Sequence, residues 1–142
     1  MSPWRFIYDE LDVEAAVASL DRILGNVDQV PVTLTGFSTF GAGSGVCYAA
    51  LRASPELDAL HATIMDVMGG SCRLHYQRGH WTPHCTLALG LTDAEMERAR
   101  AVLVPDWRSL DGAFEAAELV EFVPVVRLRR WTLPVSRSGC TV

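Results

Sequence analysis

Apolar positions along the chain alternate between helical and strand periods, and the switches mark out the elements. Over about Asp12–Leu24 the apolar residues Val13, Ala16, Val17, Leu20, Ile23 and Leu24 recur at helical spacing and form one stripe. Asp12 can cap this helix, Glu14 suits its first turn, and Gly25 stops it. Pro31–Phe40 then reads as a strand, with Val32 and Leu34 on one face and Thr33 and Thr35 on the other. Gly41–Gly45 is a hairpin loop leading into a second strand over Val46–Leu51. It follows a strand, as a phosphate-binding loop would, but it lacks the spacing and the lysine of one.

A second helix begins with Ser54 as cap and Pro55 at its first position, and Leu57, Leu60, Ile64 and Val67 or Met68 mark its buried face. His61 lies beside that stripe and is expected to be partly exposed. Gly69–Gly70 ends the helix, and Cys72–Pro83 is a polar, aromatic loop. A third helix opens with Thr92 and Glu95 at capping-box spacing and turns Met96, Ala99, Val102 and Leu103 inward. Pro105–Gly112 reads as a connection. Phe114–Phe122 and Val125–Leu133 are two further strands, with Arg127, Arg129 and Trp131 on one face of the last. This order predicts one α+β domain with a largely antiparallel sheet. The first residues, with Trp4, Phe6, Ile7 and Tyr8 in quick succession, are expected to pack.

The stretch Thr82–Gly90 carries the densest chemistry. It reads as a strand bounded by Pro83 and Gly90, so His84, Thr86 and Ala88 share one face and Cys85, Leu87 and Leu89 share an apolar, buried one. An imidazole and a hydroxyl two residues apart can handle a proton near neutral pH and hold one phosphate oxygen. The plainer alternative is a half-buried strand whose histidine hydrogen-bonds a neighbour. Cys72, His75, His80 and His84 have spacings that a zinc site would use, but Pro83 breaks the helix on which His80 and His84 would converge, so no metal is expected. Cys85, pointing inward, is expected to be inert.

Composition adds limits. At 142 residues, with 49% apolar and 20% charged residues, the chain has ordinary globular character. Its net charge of −5 argues against a protein that grips long double-stranded nucleic acid by bulk charge, though not against a small phosphodiester or RNA end in a local pocket. No apolar run is long enough for a membrane span, and no signal peptide is read at the start. The four cysteines lack paired short spacing, so a reduced, cytoplasmic protein without disulfides is expected.

Pro83–His84–Cys85–Thr86–Leu87 resembles the His-x-Thr-hydrophobic signature of the two-histidine (2H) phosphoesterases, the 2′-5′ RNA ligase-like superfamily. The helix start at Asp9–Glu10–Leu11–Asp12, the PVTLTGFSTF strand, the Ser54–Pro55–Glu56–Leu57 helix through His61, and the ELVEFVPV strand resemble bacterial members as well. The resemblance implies a fold of two pseudo-symmetric lobes within one domain spanning residues 1–142, and a metal-free, cofactor-free reaction on a phosphodiester such as a 2′,3′-cyclic phosphate. In that family the motif occurs twice. One histidine serves as general base and the other as general acid, while the hydroxyls hold the phosphate. His84 and Thr86 would carry one half, and His80, Trp81 and Tyr48 are expected to contact the substrate. The family's first motif precedes the helix at Asp12, and Ser2–Pro3–Trp4 resembles the stretch that follows it. Pro31–Val32–Thr33–Leu34 has proline where histidine is required. The chain is therefore expected to begin inside its first motif, with an incomplete first lobe. The expected consequences are weak or absent turnover by this chain alone, or a catalytically inactive nucleotide- or phosphate-binding module. A homodimer is also expected through the sheet edge left uncovered, unless Met1–Tyr8 folds back to cover it.

Overall fold

The computed structural model describes residues 12–72, 76–121 and 124–136. The expected packing of Trp4, Phe6 and Tyr8, and the uncovered edge they were to fill, lie outside these residues. The elements run α1 (Val13–Leu24), β1 (Val30–Thr39), β2 (Cys47–Ala53), α2 (Pro55–Met68), a 3-10 turn at Gly69–Ser71, β3 (His84–Ala88), α3 (Asp93–Leu103), β4 (Leu110–Phe114), β5 (Ala116–Glu121) and β6 (Val126–Thr132). Four strands form one sheet in the order β3-β2-β1-β4, and β5 and β6 form a separate two-stranded sheet. β2 runs antiparallel to both β1 and β3, and β5 runs antiparallel to β6, so the fold is α+β. The chain divides into two compact units. One contains Val32–Ala53 and Pro83–Gly112. The other contains α1 up to Pro31, then Ser54–Thr82, and the described residues from Ala113 onward.

Caps fix the helices where short side-chain signals predicted them. The Asp12 carboxylate accepts the Ala15 N–H at 3.1 Å, and the Ser54 hydroxyl accepts that of Leu57 at 3.2 Å. Thr92 and Glu95 form a reciprocal capping box, which holds the Glu95 carboxyl below the usual carboxylate range. The core of the second unit joins the α1 stripe (Ala16, Leu20, Leu24) to Ile64, Met65 and Met68 of α2 and to Leu119 and Trp131 of the β5–β6 hairpin. The Trp131 indole N–H donates to Asp21 on α1 at 2.7 Å, which locks hairpin to helix.

In the first unit, the β1–β2 loop is tied to the start of α3. The Gly43 N–H donates to the Asp93 carboxylate at 2.9 Å, and the Leu91 N–H donates to the Gly45 carbonyl at 3.0 Å. Gly45 has φ +67°, and a Cβ there would lie 3.1 Å from the Leu91 carbonyl oxygen, so the position needs glycine. On α3, Met96 is buried and Arg100 lies over the Phe37 ring, 5.5 Å from its centroid.

Three expectations change. Leu110–Phe114 is a strand, not a connection. Its residues are mostly exposed and include Asp111 and Gly112, so no apolar alternation marks it, and Asp111 accepts a 2.7 Å hydrogen bond from the Thr33 hydroxyl. Val102, expected inward, is 72% exposed because α3 buries only the line through Met96. In β1 the register shifts between Leu34 and Gly36, so Thr35 bulges out and simple alternation ends there.

Core and cap contributions should separate in urea unfolding. Leu20→Ala, which empties part of the shared α1–α2 core, is expected to cost about 2–5 kcal/mol. Ser54→Ala, which loses one cap, is expected to cost about 1 kcal/mol.

Candidate functional site

Pairing of β3 with β2 positions the His84 side chain. Ala50 lies opposite His84, Ala49 opposite Cys85, and Tyr48 opposite Thr86. Alternation therefore sets His84, Thr86 and Tyr48 on one face of the sheet and Cys85 and Ala49 on the other. The imidazole sits in an aromatic corner. Its centroid is 4.9 Å from the Phe40 ring, edge-on at 86°, and 5.3 Å from the Tyr48 ring. Phe40 and Tyr48 pack on each other at 4.4 Å. Tyr48 is buried, while His84 and Thr86 are half-buried. Two rings thus limit the imidazole's rotamers, and a hydroxyl of the same strand projects on the same side.

The expected alternation stops after Thr86. Cys47 pairs with Ala88 while Tyr48 pairs with Thr86, which leaves Leu87 without a partner at a bulge. Ala88 consequently crosses to the Cys47 face instead of joining His84. Leu87, expected to be buried, is 45% exposed, and Cys85 is only half-buried. Among the described residues β3 is an edge strand of its sheet, with no strand on its far side.

The remaining predicted residues gather elsewhere. His80 is exposed in a turn in which the backbone N–H groups of His80 and Trp81 both donate to the Gln77 carbonyl at 3.1 Å. The Trp81 ring stacks on His61, 4.1 Å between centroids and 8° from parallel. His61, expected to be partly exposed, is buried, and its Nε2 lies 2.8 Å from the Tyr76 carbonyl oxygen. The segment leading to β3 folds over α2 and covers it, an event that helix periodicity does not report. The structure therefore brings His84, Thr86 and Tyr48 together in the first unit, while Trp81 belongs with His61 in the second. Phe40 is the site residue that sequence reasoning missed. An aromatic at a strand end was the available signal, but only the hairpin register brings it to His84.

Two other stretches also spell His-x-Thr. His61–Ala62–Thr63–Ile64 lies on α2, where residues two apart point in nearly opposite directions. The Thr63 hydroxyl there donates to the Ala59 carbonyl at 2.9 Å. His80–Trp81–Thr82 runs through a turn into irregular backbone. Among the described residues, His84–Thr86 is the pair carried by a strand. No group of three metal-ligating side chains occurs among the described residues, and His75 lies outside them. A groove of about 590 Å³ along α1 and α2, lined in part by Arg22, Val27, Glu56 and Leu60, contains none of the predicted residues.

A family model described as the 2'-5' RNA ligase superfamily matches residues 5–123. The chain belongs to the 2'-5' RNA ligase superfamily. The match covers both sides of β3, so the superfamily assignment takes in the His84–Thr86 strand, the hairpin that carries Tyr48, and both helices before it. No curated protein matches the chain. Members of the superfamily act on RNA or other phosphodiester substrates.

Thiol chemistry at Cys72 is a poor rival. Burial pushes the Cys72 thiol up from 9.0 to about 11, and its sulfur donates to the Met68 carbonyl. A thiol raised in the folded state favours folding below pH 9, and that contribution is lost as pH rises from 9 toward 11. Mass-spectrometric mapping after iodoacetamide at pH 8 should find Cys72 unmodified in the native protein and modified in urea. Rapid native labelling would contradict its burial.

Proposed function

We propose that this chain is a metal-independent phosphodiesterase or 2′-5′ RNA ligase-like protein acting on RNA ends or cyclic nucleotide phosphodiesters. The single observation that carries the reading is the strand-borne His84–Thr86 pair, its imidazole packed against both Phe40 and Tyr48. Superfamily membership supports it. In hydrolysis of a 2′,3′-cyclic phosphate, water adds to phosphorus and one P–O bond to ribose breaks. His84 accepts the proton of the attacking water as the new bond forms, and the departing ribose oxygen is protonated from solvent. The Thr86 hydroxyl donates to a phosphate oxygen, where negative charge builds up. Tyr48 and Phe40 hold the imidazole in place.

One strand-borne pair among the described residues also favours a second reading, a module that binds the phosphodiester without turning it over. A single imidazole serves one side of phosphorus at a time, and each proton-transfer group contributes about 10²–10⁴-fold. Slow turnover is therefore the expected behaviour of the enzyme.

Hydrolysis of a 2′,3′-cyclic nucleotide in the presence of a chelator tests both readings. Slow turnover is expected, lowered about 10²-fold or more by His84→Ala. Thr86→Val should lower it about 10- to 100-fold, the worth of a hydrogen bond to a charged group. Turnover unaffected by His84→Ala, or abolished by the chelator, would overturn the enzymatic reading. Saturable binding without product would establish the binding module.

A further inference from the structure

The last hairpin carries a second feature that the phosphodiester chemistry of β3 does not use. Strict alternation along β6 would put Arg127, Arg129 and Trp131 on one face. The observed register differs. Arg130 lies opposite Glu118 and Arg129 opposite Leu119, but Arg127 lies opposite Val120, so Leu128 bulges out between them. The bulge sorts the arginines. Arg129 and Trp131 share the face that packs on α1, where the Trp131 indole donates to Asp21 at 2.7 Å and Arg129 is ion-paired with it at 3.2 Å. Arg127 and Arg130 are brought together on the opposite face. There both guanidinium groups reach the same Glu118 oxygen, at 3.0 and 2.6 Å.

Among the described residues, two cations share one carboxylate on that face, so the local balance there is positive in a chain of net charge −5. The arginine side chains are 58% and 51% exposed. Ion pairs this exposed add little stability, so the cluster is not explained as a brace. What Glu118 does is order the two groups. Each guanidinium has five N–H donors in a planar fork; Arg130 donates one to Glu118 and Arg127 is ion-paired with the same oxygen, and both side chains stay more than half exposed. A pre-ordered fork loses less entropy when it captures an anion. The chain has no lysine, so the presence of arginine alone decides nothing. Their placement by the bulge does.

We infer that Arg127 and Arg130, held by Glu118, form a binding site for backbone phosphates of single-stranded RNA. The inference rests on the reading that RNA ends are substrates and adds to it a contact made by the β5–β6 hairpin of the second unit. The negative net charge makes such a local pair necessary, because the field of the whole chain repels the ligand.

Fluorescence anisotropy with a labelled eight-nucleotide single-stranded RNA tests the site by equilibrium binding. It requires no turnover, so it can fail while the cyclic-phosphate reaction stands, and the reverse. Arg127→Gln and Arg130→Gln are each expected to weaken binding about threefold or more at 0.1 M salt. The double variant should lower the slope of log K against log salt by about 1.4, two contacts at about 0.7 each. Arg129→Gln removes the same charge from the same strand but on the α1 face, and should leave affinity unchanged. The double variant should also hydrolyse the cyclic mononucleotide at the wild-type rate. RNA affinity and slope unchanged in the double variant, an equal loss in Arg129→Gln, or no RNA binding by the wild-type chain would each overturn the inference. Thermal unfolding of every variant confirms that losses are not due to misfolding.

Discussion

The backbone register between β2 and β3 is the constraint on which the candidate site depends. Ladder pairing sets His84 opposite Ala50 and Thr86 opposite Tyr48. A slip of one residue would exchange the faces, sending His84 to the side where Arg100 of α3 covers Phe37 and bringing Cys85 to the Tyr48 side. Several local features oppose such a slip. The β1–β2 loop is tied to the β3–α3 connection through Gly43, Gly45, Leu91 and Asp93. Ala49, at the centre of β2, is fully buried, so a larger neighbour would not fit its place. The aromatic corner of Phe40, Tyr48 and His84 closes only in the observed register. Backbone pairing, not any single side chain, therefore aims the imidazole.

Bulges then redistribute what alternation alone would place. Three ladders are interrupted, at Thr35, Leu87 and Leu128, and each interruption moves residues from one face to the other. At Leu87 the bulge ends the His84 face after two residues. At Leu128 it separates Arg129, which joins Trp131 against Asp21, from Arg127, which joins Arg130 against Glu118. The two carboxylates act alike on opposite sides of one hairpin. Asp21 fastens the hairpin to α1, and Glu118 orders two exposed guanidinium groups. Such exposed pairs contribute order more than free energy.

Legibility in the sequence follows the reach of each interaction. The helices were readable because their signals are local: Asp12, Ser54–Pro55 and Thr92–Glu95 bond within the first turn, and the α1 stripe repeats at helical spacing. The α+β class followed from the order of elements. His84 and Thr86 were readable as a motif because two residues on one strand need no tertiary information to face the same way. Tertiary events were not readable. β4 is mostly exposed and contains Asp111 and Gly112, and only its pairing partner makes it a strand. His61 became buried when the segment through Tyr76 and Trp81 folded over α2. Phe40 became part of the site through a hairpin register set by glycine-rich backbone. Bulges leave no periodic trace, so the sorting of the three arginines on β6 was invisible until the ladder was seen.

The central claim is that the His84–Thr86 face of β3 holds a phosphodiester. The most direct measurement is a titration of the protein with a 2′,3′-cyclic nucleotide, followed by NMR of isotope-labelled histidine rings. The His84 ring resonances should move saturably with ligand concentration, and Thr86→Val should weaken that response. The ring of His61, buried between Trp81 and the Tyr76 carbonyl, should stay in place. A ligand that binds while the His84 ring shows no change would contradict the account.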